Sequence, residues 1–129
     1  MQIRLLNQIQ LDDQTEVVHQ VFPVELTEKN GSLYLLYRNE EEEKVVLKMT
    51  RDELTMTRFS NPKSIMRFLV QQEAIVTIPT PMGIQHFVTK TDHYQFDPEA
   101  GKLTLSYELR PLESDQVFAR YQMEISWGD

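Results

Sequence analysis

Residues 103–110 read LTLSYELR, and residues 117–127 read VFARYQMEISW. In the first stretch Leu103, Leu105, Tyr107 and Leu109 alternate with Thr104, Ser106, Glu108 and Arg110. In the second, Val117, Ala119, Tyr121, Met123, Ile125 and Trp127 alternate with Phe118, Arg120, Gln122, Glu124 and Ser126. A period of two puts every second side chain on one face of an extended strand, whereas a helix needs apolar residues three and four apart. Both stretches are therefore strands with one face turned to a core. The polar run Pro111 to Gln116 between them reads as a loop.

The same alternation runs back to the N-terminus. Ile3, Leu5, Ile9 and Leu11 oppose Gln2, Arg4, Gln8 and Gln10, and Asp12-Asp13 makes a turn. Thr15 to Leu26 is rich in β-branched and aromatic residues, with Val18, Phe22, Val24 and Leu26 on one face. Pro23 has no N–H to give a ladder, so a bulge or an edge position is expected there. Asn30-Gly31 tolerates the positive φ of a tight primed hairpin turn. It leads into Leu33–Arg38, a strand apolar on both faces, expected to be covered on both sides or packed against a partner.

Glu40 to Glu43 reads as a charged hairpin tip; four adjacent carboxylates diverge and repel, which does not make a metal site. Val45, Leu47 and Met49 alternate with Lys44, Lys48 and Thr50, and Arg51-Asp52 turns into Leu54 and Met56 alternating with Thr55 and Thr57. After the break at Asn61-Pro62, residues 63–72 stay open. Met66, Phe68 and Val70 fit a strand, while Ile65, Met66 and Leu69 fit one helical turn; the strand is the preferred reading. Ala74 to Ile78 is a further apolar run, ended by Pro79-Thr80-Pro81-Met82-Gly83. A long strand then runs from Ile84 to about Phe96, and Asp97 to Gly101 is a type I turn closed by a Gly able to take positive φ.

About ten short strands with hairpin-length links make an all-β antiparallel meander, since no helix is available to cover a parallel sheet. Closure removes the two exposed edges of so long a meander, so a single barrel of about eight to ten strands is expected. The chain of 129 residues fits one domain, 1–129. It contains no cysteine, which excludes disulfides and thiolate metal sites and suits a reducing cytosol. No signal-peptide pattern opens it, and no stretch approaches the roughly 20 apolar residues of a membrane helix, so a cytoplasmic location is expected. The net charge of −7 disfavours nucleic acid and anionic membranes as partners. Between Arg38 and Arg67 the balance is nearly neutral.

The pattern resembles the YwiB-like family of uncharacterised bacterial proteins. The resemblance covers nearly the whole chain. It is carried by Asn30 to Tyr37, by Glu53-Leu54-Thr55-Met56-Thr57-Arg58, by Met66-Arg67-Phe68, by Thr80-Pro81-Met82-Gly83, and by Gly101 through Leu109. In that family a small residue, often Gly, follows two positions after the arginine; here Ser60 stands two positions after Arg58. The resemblance implies a lipocalin-like, calycin-type barrel and leaves the activity unassigned.

The sequence holds no nucleophile elbow, phosphate-binding loop or dinucleotide fingerprint, so the reading is against an enzyme. The histidines are His19, His86 and His93. Seven positions separate the last two, which places them on opposite faces of a regular strand; neither metal nor cofactor is expected. Five polar residues stand on apolar faces: Arg58 beside Leu54 and Met56, His86 beside Ile84 and Val88, Asn7 among Ile3, Leu5, Ile9 and Leu11, and Tyr107 and Tyr121 in the last two stripes. If those faces point inward, Arg58 at an open mouth matches a carboxylate or phosphate, with Asn7, His86, Tyr107 and Tyr121 orienting the ligand. The structural alternative pairs Arg58 with an internal acid and satisfies the others within the core. Three functions follow: a carrier or sensor for a small apolar molecule with an anionic head, a protein-interaction module or homodimer without ligand, and an enzyme with an unrecognised constellation.

Overall fold

The computed structural model describes residues 1–129 and contains ten strands and no helix. They are β1 (Gln2–Leu11), β2 (Gln14–Lys29), β3 (Ser32–Arg38), β4 (Lys44–Met49) and β5 (Glu53–Arg58), then β6 (Ser64–Leu69), β7 (Glu73–Thr80), β8 (Gly83–Asp97), β9 (Lys102–Pro111) and β10 (Ala119–Gly128). Each pairs antiparallel with the next, and β10 pairs with β1 to close the barrel. Register follows the apolar pattern: Leu103 and Leu105 face Ile125 and Met123 across β9–β10, and Ile125 in turn faces Leu5. A slip of one residue would turn each of these stripes to water.

Asn30 and Gly31 take φ of 52° and 79° and join Lys29 to its partner Ser32. Pro23 is at a local edge. The Val24 N–H donates to Met1 O on the β1 side, so the missing Pro23 N–H would face β3, whose ladder begins only at Val24–Tyr37. Gly101 (φ +70°) is compelled sterically as well, since a Cβ there would lie 2.5 Å from the Trp127 carbonyl oxygen. In β3 the inner Leu33, Leu35 and Tyr37 are buried, and the outer Tyr34 and Leu36 are half-buried.

Residues 64–69 are a strand. Ser64 and Phe68 point inward, and Ile65 is exposed on the outer face. On its other side β6 pairs with β7 only at Ile65–Thr77. Beyond that point the two strands splay, and Val70 bridges directly to Thr91 of β8. The fully buried Thr89 hydroxyl of β8 donates to the Arg67 carbonyl of β6 at 2.7 Å, satisfying an acceptor that a β7 amide would otherwise take.

The lumen is packed. Ile3, Leu35, Leu47, Met49, Leu54, Phe68, Leu103 and Ile125 are each at most 1% exposed and belong to one apolar cluster. Side chains therefore fill the middle of the barrel and leave space only toward an end.

β8 corrects the expected orientation of His86. Phe87, Thr89 and Thr91 are the inward residues, facing Val76, Ala74 and Tyr107. Ile84, His86 and Val88 do share a face, but it is the outer one. Apolar residues stand on both faces of this strand, so its phase cannot be read from Ile84 and Val88 alone. Val88 is buried because Arg110 of β9 reaches across β8 to Glu73 of β7, at 2.6 Å. A bulge between Thr91 and His93 resets the alternation, bringing Tyr94 and Phe96 inward. It also puts His86 and His93 on the same face, roughly 20 Å apart along the strand.

Candidate functional site

The links after β1, β3, β5, β7 and β9 all lie at one end of the barrel. At that end a cavity of about 340 Å³ opens between β2 and β7. It is built by repetition. β2 contributes Gln20 at the rim and Phe22 below it, β5 contributes Arg58 and Met56, and β6 contributes Ser64 and Met66. The next inward residue on each strand, Val24, Leu54 or Phe68, is buried in the core. Tyr37, Val45 and Ile78 complete the wall. Phe22, Met56 and Met66 pack directly on the core cluster, which forms the floor.

The charged and amide side chains stand at the rim, while Ser64 is buried and the Tyr37 phenol lies on the wall. The Arg58 side chain is 47% exposed, with Nε 3.8 Å from Glu43 Oε1. An exposed pair at that distance contributes at most about 1 kcal/mol, so Glu43 is an exchangeable partner. Glu43 is positioned by Asn39, whose Nδ2 donates to Glu43 Oε1 at 3.1 Å. Asn39 Oδ1 accepts from the Glu41 and Glu43 amides, both at 3.0 Å, which fastens the β3–β4 link. Gln20 Nε2 donates to Glu40 Oε1 at 2.8 Å across the rim. On the wall, Phe22 and Tyr37 stack at 5.3 Å and 16°. Burial pushes the Tyr37 phenol up to about 12, so it is neutral at any physiological pH.

Of the five residues singled out in the sequence, Arg58 alone lines this cavity. Tyr107 and Tyr121 do point into the barrel, stacked at 4.5 Å and 7°, and Tyr107 also leans on Phe68 at 4.5 Å. They pack the lumen, where burial raises both phenols. Asn7 points inward and is half-buried, and its Oδ1 is without a partner. His86 lies outside, its Nδ1 3.4 Å from Thr77 Oγ1. The unforeseen lining residues differ in legibility. Met56 shares the Arg58 face, and Ser64 and Met66 oppose Arg58 and Met56 across the β5–β6 hairpin, so pairing that hairpin would have found them. Gln20 and Phe22 reach the cavity only through the closed barrel.

A second groove, of about 370 Å³, crosses the outer face over Gln8, Gln122, Thr104 and Ser106; its acid, Glu124, is paired with Lys102 at 3.1 Å. No group of three His, Asp or Glu side chains is placed to hold a metal ion. No helix is long and apolar enough to cross a membrane.

These features define a closed meander barrel with a filled lumen and a polar-rimmed cavity at one mouth. The family model described as "Domain of unknown function (DUF1934)" matches residues 3–125, and the chain belongs to that family. The crystal structure of the YwiB protein from Bacillus subtilis has the same fold: the two are 19% identical and superpose with a TM-score of 0.78, over 99% of this chain and 91% of that one. The YwiB-like resemblance read from the sequence is thus shown. No curated protein matches the sequence.

Proposed function

We propose that the barrel is a calycin-type carrier or sensor that binds a small apolar molecule with an anionic head in its mouth cavity. The observation that carries this reading is the layering of one cavity: an exchangeable guanidinium at the rim, above a wall of Phe22, Met56 and Met66. Arg58 would release Glu43 and take the ligand's head, while the wall covers its apolar body. A chain without cysteine needs no oxidising compartment, which supports a cytoplasmic role. Thermal unfolding with a panel of apolar carboxylates, each beside its matching alcohol, tests the reading. The acids should raise Tm in wild type, Arg58→Gln should abolish their advantage over the alcohols, and Glu43→Gln should enlarge it. A flat response to the whole panel refutes it.

An interaction surface is the second reading, and one feature of the outer face favours it. Leu36, Val46, Thr57, Ile65, Thr77 and His86 stand in register across β3–β8, a row free of Asp, Glu, Lys and Arg. Beside it Ile75 and Ile84 are 64% and 58% exposed. A homodimer through this band should lose its dimeric mass in sedimentation when Ile75 becomes Glu; a wild-type monomer at high concentration removes the idea.

A further inference from the structure

The cavity's shape narrows the ligand class, an inference that rests on the binding reading above. Three of the lining strands, β2, β5 and β6, each give one rim residue and one wall residue before the core begins: Gln20 and Phe22, Arg58 and Met56, Ser64 and Met66. β3 and β4 add Tyr37 and Val45, which already belong to the core. Two residues of strand are about 7 Å, and strand tilt makes the axial depth smaller. The volume of about 340 Å³ is therefore spread sideways between β2 and β7. At about 30 Å³ for each water-sized unit it accepts about eleven non-hydrogen atoms. An extended acyl chain with that many atoms is longer than the pocket is deep. A ring on a short linker is not.

The walls have the matching chemistry. On one side is the stacked Phe22–Tyr37 pair, and on the other are the thioethers of Met56 and Met66, which oppose each other across β5–β6. Rings favour offset or edgewise contact with other rings, and sulfur at the ring edge. At the rim, one guanidinium is paired with Glu43, and Glu40 lines the cavity. A second negative charge on the ligand would meet those carboxylates. We infer that the mouth cavity selects compact aromatic monocarboxylates, an aryl ring carried on a short acid linker, over linear acyl chains of the same size.

Titration calorimetry on the full chain compares 3-phenylpropionate with nonanoate, which are matched in non-hydrogen atoms. The expected result is about tenfold tighter binding of the aromatic acid, the combined scale of one ring–ring and one sulfur–ring contact. Met66→Leu keeps the volume and removes a sulfur, and should narrow the ratio to a few-fold. Benzylmalonate should bind at least tenfold more weakly than its monoamide, which has the same number of non-hydrogen atoms and one carboxylate fewer; equal affinities overturn the exclusion of a second charge. Equal affinities, or tighter binding of nonanoate, overturn the aromatic selection while leaving anion binding at the mouth intact. An unchanged ratio in Met66→Leu overturns the sulfur contact. Binding by neither acid overturns both this inference and the reading it rests on.

Discussion

Thr89 and Thr91 stand two residues apart on β8, both point inward, and both are at most 1% exposed, yet the same substitution should move stability in opposite directions. The Thr89 hydroxyl donates to the Arg67 carbonyl at 2.7 Å, in the stretch where β6 and β7 have parted. Thr89→Val keeps the shape and the β-branching, so it removes little besides that bond. It strands a carbonyl with no alternative donor, and losing a buried partner in this way costs about 1–3 kcal/mol. The Thr91 hydroxyl is buried without a partner. Thr91→Val therefore removes an unpaid desolvation penalty and should stabilise the fold by about 1 kcal/mol. The single tryptophan, Trp127, is buried and reports unfolding. Equilibrium urea titration of both variants should give midpoints on opposite sides of wild type with unchanged m. Equal destabilisation by the two substitutions would refute the claim that the Thr89 bond, rather than generic packing, closes the β6–β7 seam.

Two further outcomes follow from other parts of the barrel. Gly101→Ala should lose about 2–4 kcal/mol in the same titration, because the new methyl meets the Trp127 carbonyl at 2.5 Å and the residue sits at φ +70°; a neutral result would mean the β8–β9 turn can relax freely. Stability should also fall in alkali. Burial raises the phenols of Tyr37 and Tyr107 above their unfolded value near 10, so the unfolded chain releases those protons first, and the stabilisation is intact below pH 10 and lost above it. Ultraviolet titration should then show these tyrosines ionising together with unfolding, whereas ionisation in a chain still folded at pH 11 contradicts their burial.

The meander was legible because its strands obey one rule with few interruptions. Leu103–Leu109 and Ala119–Trp127 show their inner faces without ambiguity, and Asn30-Gly31 marks its turn with two residues suited to positive φ. The rule fails where both faces of a strand carry apolar residues. In β8, Ile84, Val88, Tyr94 and Phe96 share one phase and Phe87 has the other; the bulge before His93 breaks that phase, so Phe87, Tyr94 and Phe96 all face inward while Ile84 and Val88 face out. That is why His86 was expected inside. Val88 compounds the difficulty, since an ion pair between strands on either side of β8 buries a residue on the outer face. Arg58 was legible as a polar residue on an inward face, but its neighbours from β2 were not. Strand tilt, which no local pattern encodes, decides which residue of β2 arrives beside β5 and β6.

On β2, β5 and β6, core packing and cavity lining are divided along the strand rather than between strands. On β2, β5 and β6 the innermost residue (Val24, Leu54 or Phe68) belongs to the core, the next (Phe22, Met56 or Met66) forms the wall, and the outermost (Gln20, Arg58 or Ser64) forms the rim. The three layers face different demands. The core must exclude water and holds rigid apolar groups, whereas the wall holds larger or more flexible ones. At the rim, Arg58 keeps its guanidinium half exposed beside the Glu43 carboxylate. Arg58→Gln replaces a half-exposed head group and keeps a short aliphatic stem beside Val45, its cross-strand partner, so its effect on unfolding should stay within about 0.5 kcal/mol, the range of ordinary surface substitutions. If Arg58 instead anchored the fold, that variant would unfold early with or without an added acid. Stability without ligand and response to ligand thus separate a binding residue from a structural one in a single pair of unfolding curves.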